Sequence, residues 1–469
     1  MNDQQVFAHL LKIIEEYSAG QRDGKFLDYH PPAELRGLLG LEQPGKTGDW
    51  QEIFAWVEKY LAYSVKTNHP LFVNRMWVGA NLPAIVGETI AALTNASACT
   101  FESAPVSTLM EKYMIEEMLD LVGFKNGEGQ MTTGSSNANM IAMMVARNLA
   151  NPSMKQAGLF GQQKLFAFVG ADAHYSMDRA ANILGIGGDQ LIKVPLDPLG
   201  AMLPAELERA INRVVESGGL PFFVAATAGT TVRGGYDPIE ALLPLRVSHG
   251  FWLHVDGAWG GSAVLSPRLH HLYLQGLSEA DSFTWDFHKM LGSTLMCNIL
   301  LINKNRPALA TALSAGDGSY LFRNENADQM EDLGPSSLQC GRRVDSLKWF
   351  LDWKFYGRAG LAARVEKSLE LCSYAEEVIH RSPELELVVP RTSFNVCFRF
   401  RIAEEESNAF NLALRTRLYE EGTTLVGIAY IEGKLVMRLL VINPAAERSD
   451  LDTFFRHLIA KGRELRQDS

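Results

Sequence analysis

The chain has 469 residues, of which 47% are hydrophobic and 21% charged, and its 44 basic and 54 acidic side chains give a formal net charge of −10. This length predicts more than one domain, and an acidic balance without a basic block argues against nucleic acid or an anionic membrane as a partner. Five scattered cysteines form no C-x-x-C pair and no metal-ligand spacing, so we expect no bound metal and a reducing, cytoplasmic location.

Residues 1–72 are predicted to form a helical N-terminal segment. Near its start, apolar residues recur at helical spacing at Val6, Phe7, Leu10, Leu11, Ile13 and Ile14. The polar stretch DYHPPAELRGLLGLEQPGKTGD then interrupts the helices. The segment lacks a basic region followed by a long apolar run, and no apolar run approaches the ~20 residues that span a bilayer. Neither a signal peptide nor a membrane span is therefore expected.

Residues 73–347 alternate helical patterns with short apolar runs, which are KLFAFVG, PFFVAATAG, FWLHVDGAW and CNILLIN. Such alternation predicts a large α/β domain with a mostly parallel sheet. In residues 348–469, long helical patterns precede two predicted strands, NVCFRFRI and KLVMRLLVINPA, which indicates a smaller α+β domain. Ligands of open α/β sheets bind beyond the carboxyl ends of the strands, so the site is expected there.

Small hydroxyl residues open the helix that is predicted within QMTTGSSNANMIAMMVARN. Ser135 and Ser136 would place their hydroxyl groups beside free backbone N–H groups at the helix N-terminus, where an anion is stabilised. No G-K-[ST] follows the glycine, so this is not a nucleotide-binding P-loop. The alternative is an ordinary helix cap, because serine and threonine often precede helices for that reason alone.

Asp256 ends the strand predicted in FWLHVDGAWGG, and Lys289 follows in DSFTWDFHKMLG, one further helix-and-strand step along the chain. A lysine among apolar residues is driven towards its neutral form, which is a nucleophile that forms Schiff bases with carbonyl groups, including the aldehyde of pyridoxal phosphate (PLP). PLP also needs a carboxylate against its pyridine nitrogen, as Asp256 would supply. The alternatives are a lysine whose ammonium reaches water and an aspartate that caps a turn.

Three more polar residues accompany this pair. His174, in FVGADAHYSMDRAAN, can stack a flat imidazole on an aromatic cofactor. Thr231 lies in ATAGTTVRGG, and His288 directly precedes Lys289. Each of them alone is equally consistent with a structural or surface role. In chain order with Asp256 and Lys289, they favour a PLP site.

These stretches resemble the group II PLP-dependent decarboxylases, most closely the animal-type branch that includes glutamate decarboxylase and cysteine sulfinate decarboxylase. The resemblance runs from about residue 69 to the C-terminus and rests on HPLFVNRMWVG, TFESAPVSTLMEK, NMIAMMVARN, AHYSM, ATAGTTVRGGYDPI, WLHVDGAWGGS, SFTWDFHKMLG, SYLF, LQCGRRVDSLKWFLDWK and VMRLLVINPA. It implies fold type I, the aspartate-aminotransferase-like α/β fold with helices on both faces of the sheet. It also implies pyridoxal 5'-phosphate as cofactor and a homodimer whose active site is shared between subunits.

The same resemblance implies a role for each matching residue. Lys289 would hold PLP covalently, Asp256 would pair with the ring nitrogen, and His174 would stack on the ring. Ser135, Ser136 and His288 would contact the phosphate. Thr231 and Ala258 would line the rest of the cofactor site.

Tyr320, in SYLF, matches a mobile-loop tyrosine that reprotonates the substrate carbon in this family. Homologous plant enzymes with phenylalanine at that position tend to make aldehydes. A tyrosine here therefore implies simple decarboxylation, in which the substrate amine displaces Lys289, carbon dioxide leaves and Cα takes a proton.

The substrate is implied by four positions. Arg438, in VMRLLVINPA, matches an arginine that meets a substrate carboxylate in this branch. In VNRMWVG, Arg75 stands where glutamine is usual and Trp77 where glutamate decarboxylases have serine. Enzymes acting on cysteine sulfinate or aspartate tend to have a bulky aromatic residue there, so Trp77 implies a shorter diacid. Cys99, in ACTFE, replaces a larger aromatic residue and would restore some room.

The predicted function is thus α-decarboxylation of an acidic L-amino acid, with aspartate or cysteine sulfinate favoured over glutamate. An aromatic or basic amino acid is the alternative substrate class, and a catalytically silent homologue with a binding role is the alternative outside enzymes. One further departure, WDFHK in place of the usual WNPHK, puts Asp286 near the expected phosphate and places that contact in question.

Overall fold

The structure is a computed structural model that describes residues 1–42, 45, 48–304, 307–314, 316–322 and 331–468. Contacts divide the chain into two compact units. Unit 1 comprises Met1–Gly79, Glu370–Pro390 and Asn395–Ser469, and unit 2 comprises Ala80–Leu369 and Arg391–Phe394. The N-terminal helical segment therefore shares a compact unit with much of the C-terminal part, and the division at residues 72 and 347 stays a prediction.

The described residues form helices and strands in the following order. The helices are α1 (Asp3–Ala19), α2 (Pro32–Leu39), α3 (Trp50–Tyr63), α4 (Leu82–Thr94), α5 (Pro105–Val122), α6 (Ser135–Ala150), α7 (Met154–Ala157), α8 (Ser176–Ile183), α9 (Pro204–Glu216), α10 (Ile239–His249), α11 (Pro267–Tyr273), α12 (Ala308–Leu313), α13 (Ser346–Arg381), α14 (Glu404–Glu420) and α15 (Arg448–Asp468). The strands are β1 (Phe72–Val73), β2 (Glu128–Met131), β3 (Leu165–Gly170), β4 (Leu191–Val194), β5 (Leu220–Thr227), β6 (Trp252–Asp256), β7 (Ser282–Asp286), β8 (Asn298–Ile302), β9 (Leu385–Leu387), β10 (Asn395–Phe400), β11 (Leu425–Ile431) and β12 (Lys434–Leu440).

Unit 2 is built on a seven-stranded sheet of order β2-β8-β7-β6-β5-β3-β4. Within this sheet, the adjacent strands β7, β6, β5, β3 and β4 are parallel to one another. Strand β8 is antiparallel to both β7 and β2. The runs in β3 and β5 are almost wholly apolar and buried, as expected for strands covered on both faces, and β6 is buried throughout. The predicted mostly parallel sheet with helices on both sides is confirmed.

Helix α6 lies against the middle of this sheet, and its sequence explains why it can approach closely. Ala138, Ala142 and Ala146 repeat every four residues on one face and are buried in the core of unit 2. Small side chains at these positions bring the helix backbone near the strands. The polar first turn of α6 is thereby held at one end of the sheet.

Unit 1 contains a five-stranded sheet of order β1-β11-β12-β10-β9, in which only the β1–β11 pair is parallel. Leu414 and Leu418 of α14 and Phe454 and Leu458 of α15 pack in its hydrophobic core. The N-terminal helices α1 to α3 belong to the same unit. None of the described helices is both long and apolar enough to cross a membrane.

The apolar runs named above form β3, β5, β6, β8, β10 and β12, as predicted. Five strands, β1, β2, β4, β9 and β11, were not predicted. Among them, LIKV of β4 and LVGIAYI of β11 lack flanking patterns that separate a strand from a helix end. The two long helical patterns after residue 345 join into α13, with a break at Gly357, whose φ of 61° lies in the left-handed region.

Candidate active site

The site is built where two neighbouring parallel strands of unit 2 end. Asp256 is the last residue of β6 and is paired with Thr284 of β7, and Lys289 follows the end of β7 by three residues. Parallel pairing places both carboxyl ends at one edge of the sheet. The prediction that Asp256 and Lys289 share a sheet edge is confirmed.

The Asp256 carboxylate is held by two N–H donors. Asn139 of α6 donates from Nδ2 to Asp256 Oδ2 at 2.9 Å, and the backbone N–H of Ala258 donates to Oδ1 at 3.1 Å. The same Asn139 amide donates to Ser176 Oγ at 3.0 Å. Because both N–H groups of Asn139 Nδ2 are used in donation, its Oδ1 is left as an acceptor.

Behind Asn139, a chain of neutral groups determines how that amide is oriented. Asn139 Oδ1 lies 2.9 Å from His254 Nε2, so His254 carries its proton on Nε2 and donates it. His254 Nδ1 then accepts from Ser282 Oγ at 2.8 Å, and Ser282 Oγ accepts from Trp252 Nε1 at 2.7 Å. Burial lowers the pKa of His254 to about 4, which keeps the imidazole neutral.

Lys289 is paired with a second carboxylate. Its Nζ lies 2.8 Å from Oδ2 of Asp286, the last residue of β7, and the lysine side chain keeps 21% of its surface exposed against 2% for the aspartate. Asp286 Oδ1 accepts from Ser135 Oγ at 2.8 Å. The residue that departs from the family pattern therefore contacts both the lysine and the start of α6.

His174 lies between β3 and α8, and its Nδ1 accepts from the backbone N–H of Ser176 at 3.3 Å. Burial lowers the pKa of His174, and the charges of Asp256, Lys289 and Asp286 also act on it. His174 therefore lies within electrostatic range of these three groups, and its lowered pKa keeps the imidazole neutral at pH 7. A neutral, flat ring is what stacking on an aromatic cofactor requires.

The N-terminus of α6 supplies backbone donors. Gly134 adopts φ +102°, and a Cβ at that position would collide with the Met296 methyl group. No side chain caps α6, and the first N–H groups of a helix have no acceptor within the helix. Ser135 is buried and Ser136 is exposed, so only the first of the two serines that are predicted to contact the phosphate is enclosed.

Two other predicted residues occupy the same unit. His288 is buried, its Nδ1 lies 2.8 Å from the carbonyl oxygen of Cys297, and burial lowers its pKa. Its Nε2 lies 3.8 Å from Asp286 Oδ2. Thr231 is half-buried, four residues beyond the end of β5.

Tyr320 and Cys99 line a separate pocket of unit 2, together with Phe322 and Cys340. The Tyr320 side chain is 72% exposed, whereas Cys99 is buried. Lys289 is not among the described residues that line this pocket.

Three of the four predicted substrate residues, Arg438, Arg75 and Trp77, lie in unit 1, whereas Cys99 lies in unit 2. Arg438 of β12 donates from Nη2 to the carbonyl oxygen of Asn74 at 3.2 Å. Burial lowers its pKa, and Arg75 lowers it further by charge repulsion. Arg415, which sequence reasoning missed, has its pKa lowered by burial and by the same Arg75. Trp77 packs with its ring centroid 5.9 Å from that of Phe72.

The residues of unit 2 fit PLP. An accessible lysine amine, a carboxylate oriented by two N–H groups and a neutral imidazole lie at one sheet edge, beside an uncapped helix N-terminus. These are the groups that an aldehyde, a pyridine nitrogen, an aromatic ring and a phosphate each require.

Asn139 and His254 were missed as functional residues. Asn139 lies on the face of α6 that carries the buried alanines, and His254 precedes Asp256 by two residues and so shares its face of β6. An alternate polar residue within a buried strand is the signal that could have found His254. Asn139 had no such signal, since asparagine is common in the first turns of helices.

Comparison with known proteins identifies the family. A model of the pyridoxal-dependent decarboxylase conserved domain matches residues 32–401. The chain is 35% identical to the acidic amino acid decarboxylase GADL1 of Bos taurus, over 97% of this chain and 89% of that protein. It is 36% identical to the cysteine sulfinic acid decarboxylase of Mus musculus, over 97% and 94%.

The fold agrees with this assignment. The crystal structure of mouse CSAD superposes with a TM-score of 0.94 at 33% identity, covering 98% of this chain and 99% of that one. The predicted fold type, cofactor and enzyme class are confirmed. The chain belongs to the pyridoxal-dependent decarboxylase family and is a PLP-dependent carboxy-lyase.

Proposed function

We propose that this enzyme removes the α-carboxylate of an acidic L-amino acid, with aspartate or cysteine sulfinate as the preferred substrate and glutamate next. The names of its relatives, an acidic amino acid decarboxylase and a cysteine sulfinic acid decarboxylase, support this class of substrate. The observation that carries the proposal is the group of arginines in unit 1.

The positive charge of Arg75 acts on two other guanidinium groups of this unit and lowers the pKa of both Arg438 and Arg415. Like charges held close together repel, and an anionic ligand relieves that repulsion. A guanidinium also offers paired N–H donors that match a carboxylate or a sulfinate. We assign Arg438 and Arg75 to the side-chain acid of the substrate, and Trp77 to the limit on its length.

In unit 2, each group has one task. Lys289 would hold PLP covalently, Asp256 would keep its ring nitrogen protonated, and His174 would stack on the ring. Bound there, PLP accepts the electron pair that is released when the bond between Cα and the carboxylate breaks. The start of α6 with Ser135 and Ser136, together with His288, would bind the phosphate, and Thr231 and Ala258 would line the site.

Tyr320 would deliver a proton to Cα after carbon dioxide has left. Its exposed phenol lies on a stretch flanked by residues outside the described part of the chain. Replacing Tyr320 by phenylalanine removes that proton donor and should reduce amine formation by about 10²-fold or more. Aldehyde among the products would accompany the loss, and unchanged amine formation would contradict the assignment.

The substrate is tested by measuring carbon dioxide release from glutamate, aspartate, cysteine sulfinate and cysteate. We expect higher kcat/KM for aspartate or cysteine sulfinate than for glutamate. The Trp77→Ser variant should raise the kcat/KM of glutamate relative to that of aspartate, because a smaller side chain admits the longer acid. Turnover of none of the four, or amines from aromatic or basic amino acids instead, would overturn the proposal.

A homodimer, in the cytoplasm, completes the proposal. Large apolar side chains are exposed on α4, α5 and α13 of unit 2, namely Leu82, Val86, Leu93, Val106, Leu109 and Phe355. Exposed apolar patches of this kind are typical of subunit interfaces, and a second copy of the chain is the partner we assign. The five free cysteines fit a reducing compartment.

Sedimentation of the wild type at micromolar concentration should give a mass of two chains, and Val86→Glu should shift it towards one. A wild type that sediments as a monomer would contradict the dimer.

A further inference from the structure

Asp286 is a buried carboxylate in the middle of the cofactor site. Lys289 Nζ lies 2.8 Å from its Oδ2. Its Oδ1 accepts hydrogen bonds from Ser135 Oγ at 2.8 Å and from Asn298 Nδ2 at 2.5 Å. Both oxygens are thus engaged by donors from different elements, namely the turn after β7, the start of α6 and the neighbouring strand β8.

This carboxylate is charged. Burial raises its pKa, but the charges of Lys289 and His288 and the hydrogen bonds from Lys289 and Ser135 outweigh burial and hold the pKa of Asp286 below its usual range. Asp256, by contrast, is occupied by the N–H groups of Asn139 and Ala258. The ammonium of Lys289 is therefore matched by Asp286, while Asp256 faces other donors.

We propose that Asp286 is a positioning residue that restrains Lys289: its ion pair with Nζ, at 2.8 Å, must break before the lysine can join a pyridoxal aldehyde. The inference rests on the proposed role of Lys289. Capture of the aldehyde requires Nζ to lose a proton to solvent, after which the amine nitrogen attacks the aldehyde carbon, the carbon–nitrogen double bond forms and the oxygen leaves as water. The ion pair with Asp286 must break before Nζ can attack, and it can form again when the lysine is released.

Asp286 also competes with the phosphate. A serine hydroxyl has one proton to donate, and Ser135 donates it to Asp286. A phosphate beside Ser135 must displace that bond and tolerate a nearby negative charge. The restraint on Lys289 slows the capture of any pyridoxal aldehyde, with or without a phosphate. The competition for Ser135 slows only the capture of an aldehyde that carries phosphate.

The two effects are separated by using pyridoxal and PLP as probes. Full-length protein freed of cofactor is mixed with either aldehyde at pH 7, the Lys289 adduct is trapped with borohydride, and its rate of appearance is followed by mass spectrometry. Asp286→Asn should be trapped by pyridoxal about tenfold faster than the wild type, because Nζ no longer has to leave an ion pair with a buried carboxylate before it attacks the aldehyde. With PLP, the gain should be larger still.

Asp286→Glu keeps the charge and is the matched control, so its rate with pyridoxal should stay near that of the wild type. Because a loosened site would also expose Lys289 and speed up trapping, a gain in rate counts for the restraint only where Asp286→Glu does not share it. A folded Asp286→Asn protein with an unchanged or slower rate would overturn the inference.

If Asp286→Asn does not fold, Asp286→Ser replaces it, since a hydroxyl can still accept the bond from Asn298. Labelling of the wild type with a neutral amine reagent adds an independent measurement. Lys289 should react more slowly than the exposed Lys125, and equal labelling would also overturn the inference. Failure of the proposed function has a different signature, because the wild type would then trap no PLP at Lys289 at all.

Discussion

Two lysines of unit 2 each lie three residues after an aspartate, and their surroundings are opposite. Lys289 pairs with Asp286 at 2.8 Å and keeps 21% of its side chain exposed. Lys348, near the start of α13, is 0% exposed and lies 2.7 Å from Asp345 and 3.0 Å from Glu88. It also donates to the carbonyl oxygen of Met296 at 2.7 Å.

The difference shows that burial does not mark the reactive lysine. An ammonium has three N–H donors, and Lys348 has three acceptors around it, so it is saturated. Burial raises the pKa of Asp345 despite the nearby lysine, whereas the charges around Asp286 lower its pKa. Lys289 retains access to a ligand, and the more deeply buried Lys348 stabilises the fold.

The largest effect that tests this contrast is on activity. Lys289→Arg keeps a positive charge for Asp286 but removes the amine that binds the cofactor, so decarboxylation should fall by about 10³-fold or more. The free energy of unfolding should change by less than about 1 kcal/mol. Activity assays and denaturant unfolding of the same preparation check both values, and substantial residual activity would contradict the role of Lys289.

Lys348→Met should act on stability instead. It leaves the buried carboxylate of Asp345 and the half-buried carboxylate of Glu88 without the cation that they share, which costs about 3 kcal/mol. Urea unfolding measures this loss at pH 7. A variant with wild-type stability would show that the Lys348 cluster does not stabilise the protein.

The third test concerns the neutral groups behind Asp256, which contrast with the charged cluster around Lys348. The folded-state pKa of His254, about 4, lies below the ordinary 6.5, so the unfolded chain binds more protons between these values and stability falls as pH falls. Through His254, the wild type should lose about 2 kcal/mol of its free energy of unfolding between pH 7 and pH 5. His254→Asn should lack this part of the loss.

Unfolding of both proteins at the two pH values gives the difference between them. Burial raises the pKa of Asp237 to about 6, so this group makes stability rise as pH falls. Asp237 is present in both proteins, so its contribution cancels when the two are compared. An equal pH dependence in wild type and variant would show that His254 titrates normally.

The smallest effect is expected at the rim of the Lys348 cluster. Glu88 is 28% exposed and also pairs with Arg343, so Glu88→Gln leaves Lys348 its closer partner Asp345. The loss should be about 1 kcal/mol, because partly exposed ion pairs contribute little. A loss of stability as large as that of Lys348→Met would show instead that Glu88, and not Asp345, is the main partner of Lys348.

Much of the site was predictable because its signals are local. Asp256 ends an apolar run, Ser135 opens a helix, and Lys289 lies in a motif, so each could be placed on its element from a few neighbouring residues. The partners of these groups were not predictable. That Asn139 binds Asp256, and that Asp286 binds Lys289 and Ser135, depends on contacts between residues far apart in the sequence.

The amino-acid sequence by itself determined the alternation of strands and helices, the family and the lysine that we assign to the cofactor, because periodicity and motifs are written along the chain. Only the tertiary structure decided which carboxylate faces that lysine and which arginines share one cluster. The physical reason is that hydrogen bonds and charge interactions act over a few ångströms, and strand register and helix packing decide which distant side chains come within that range.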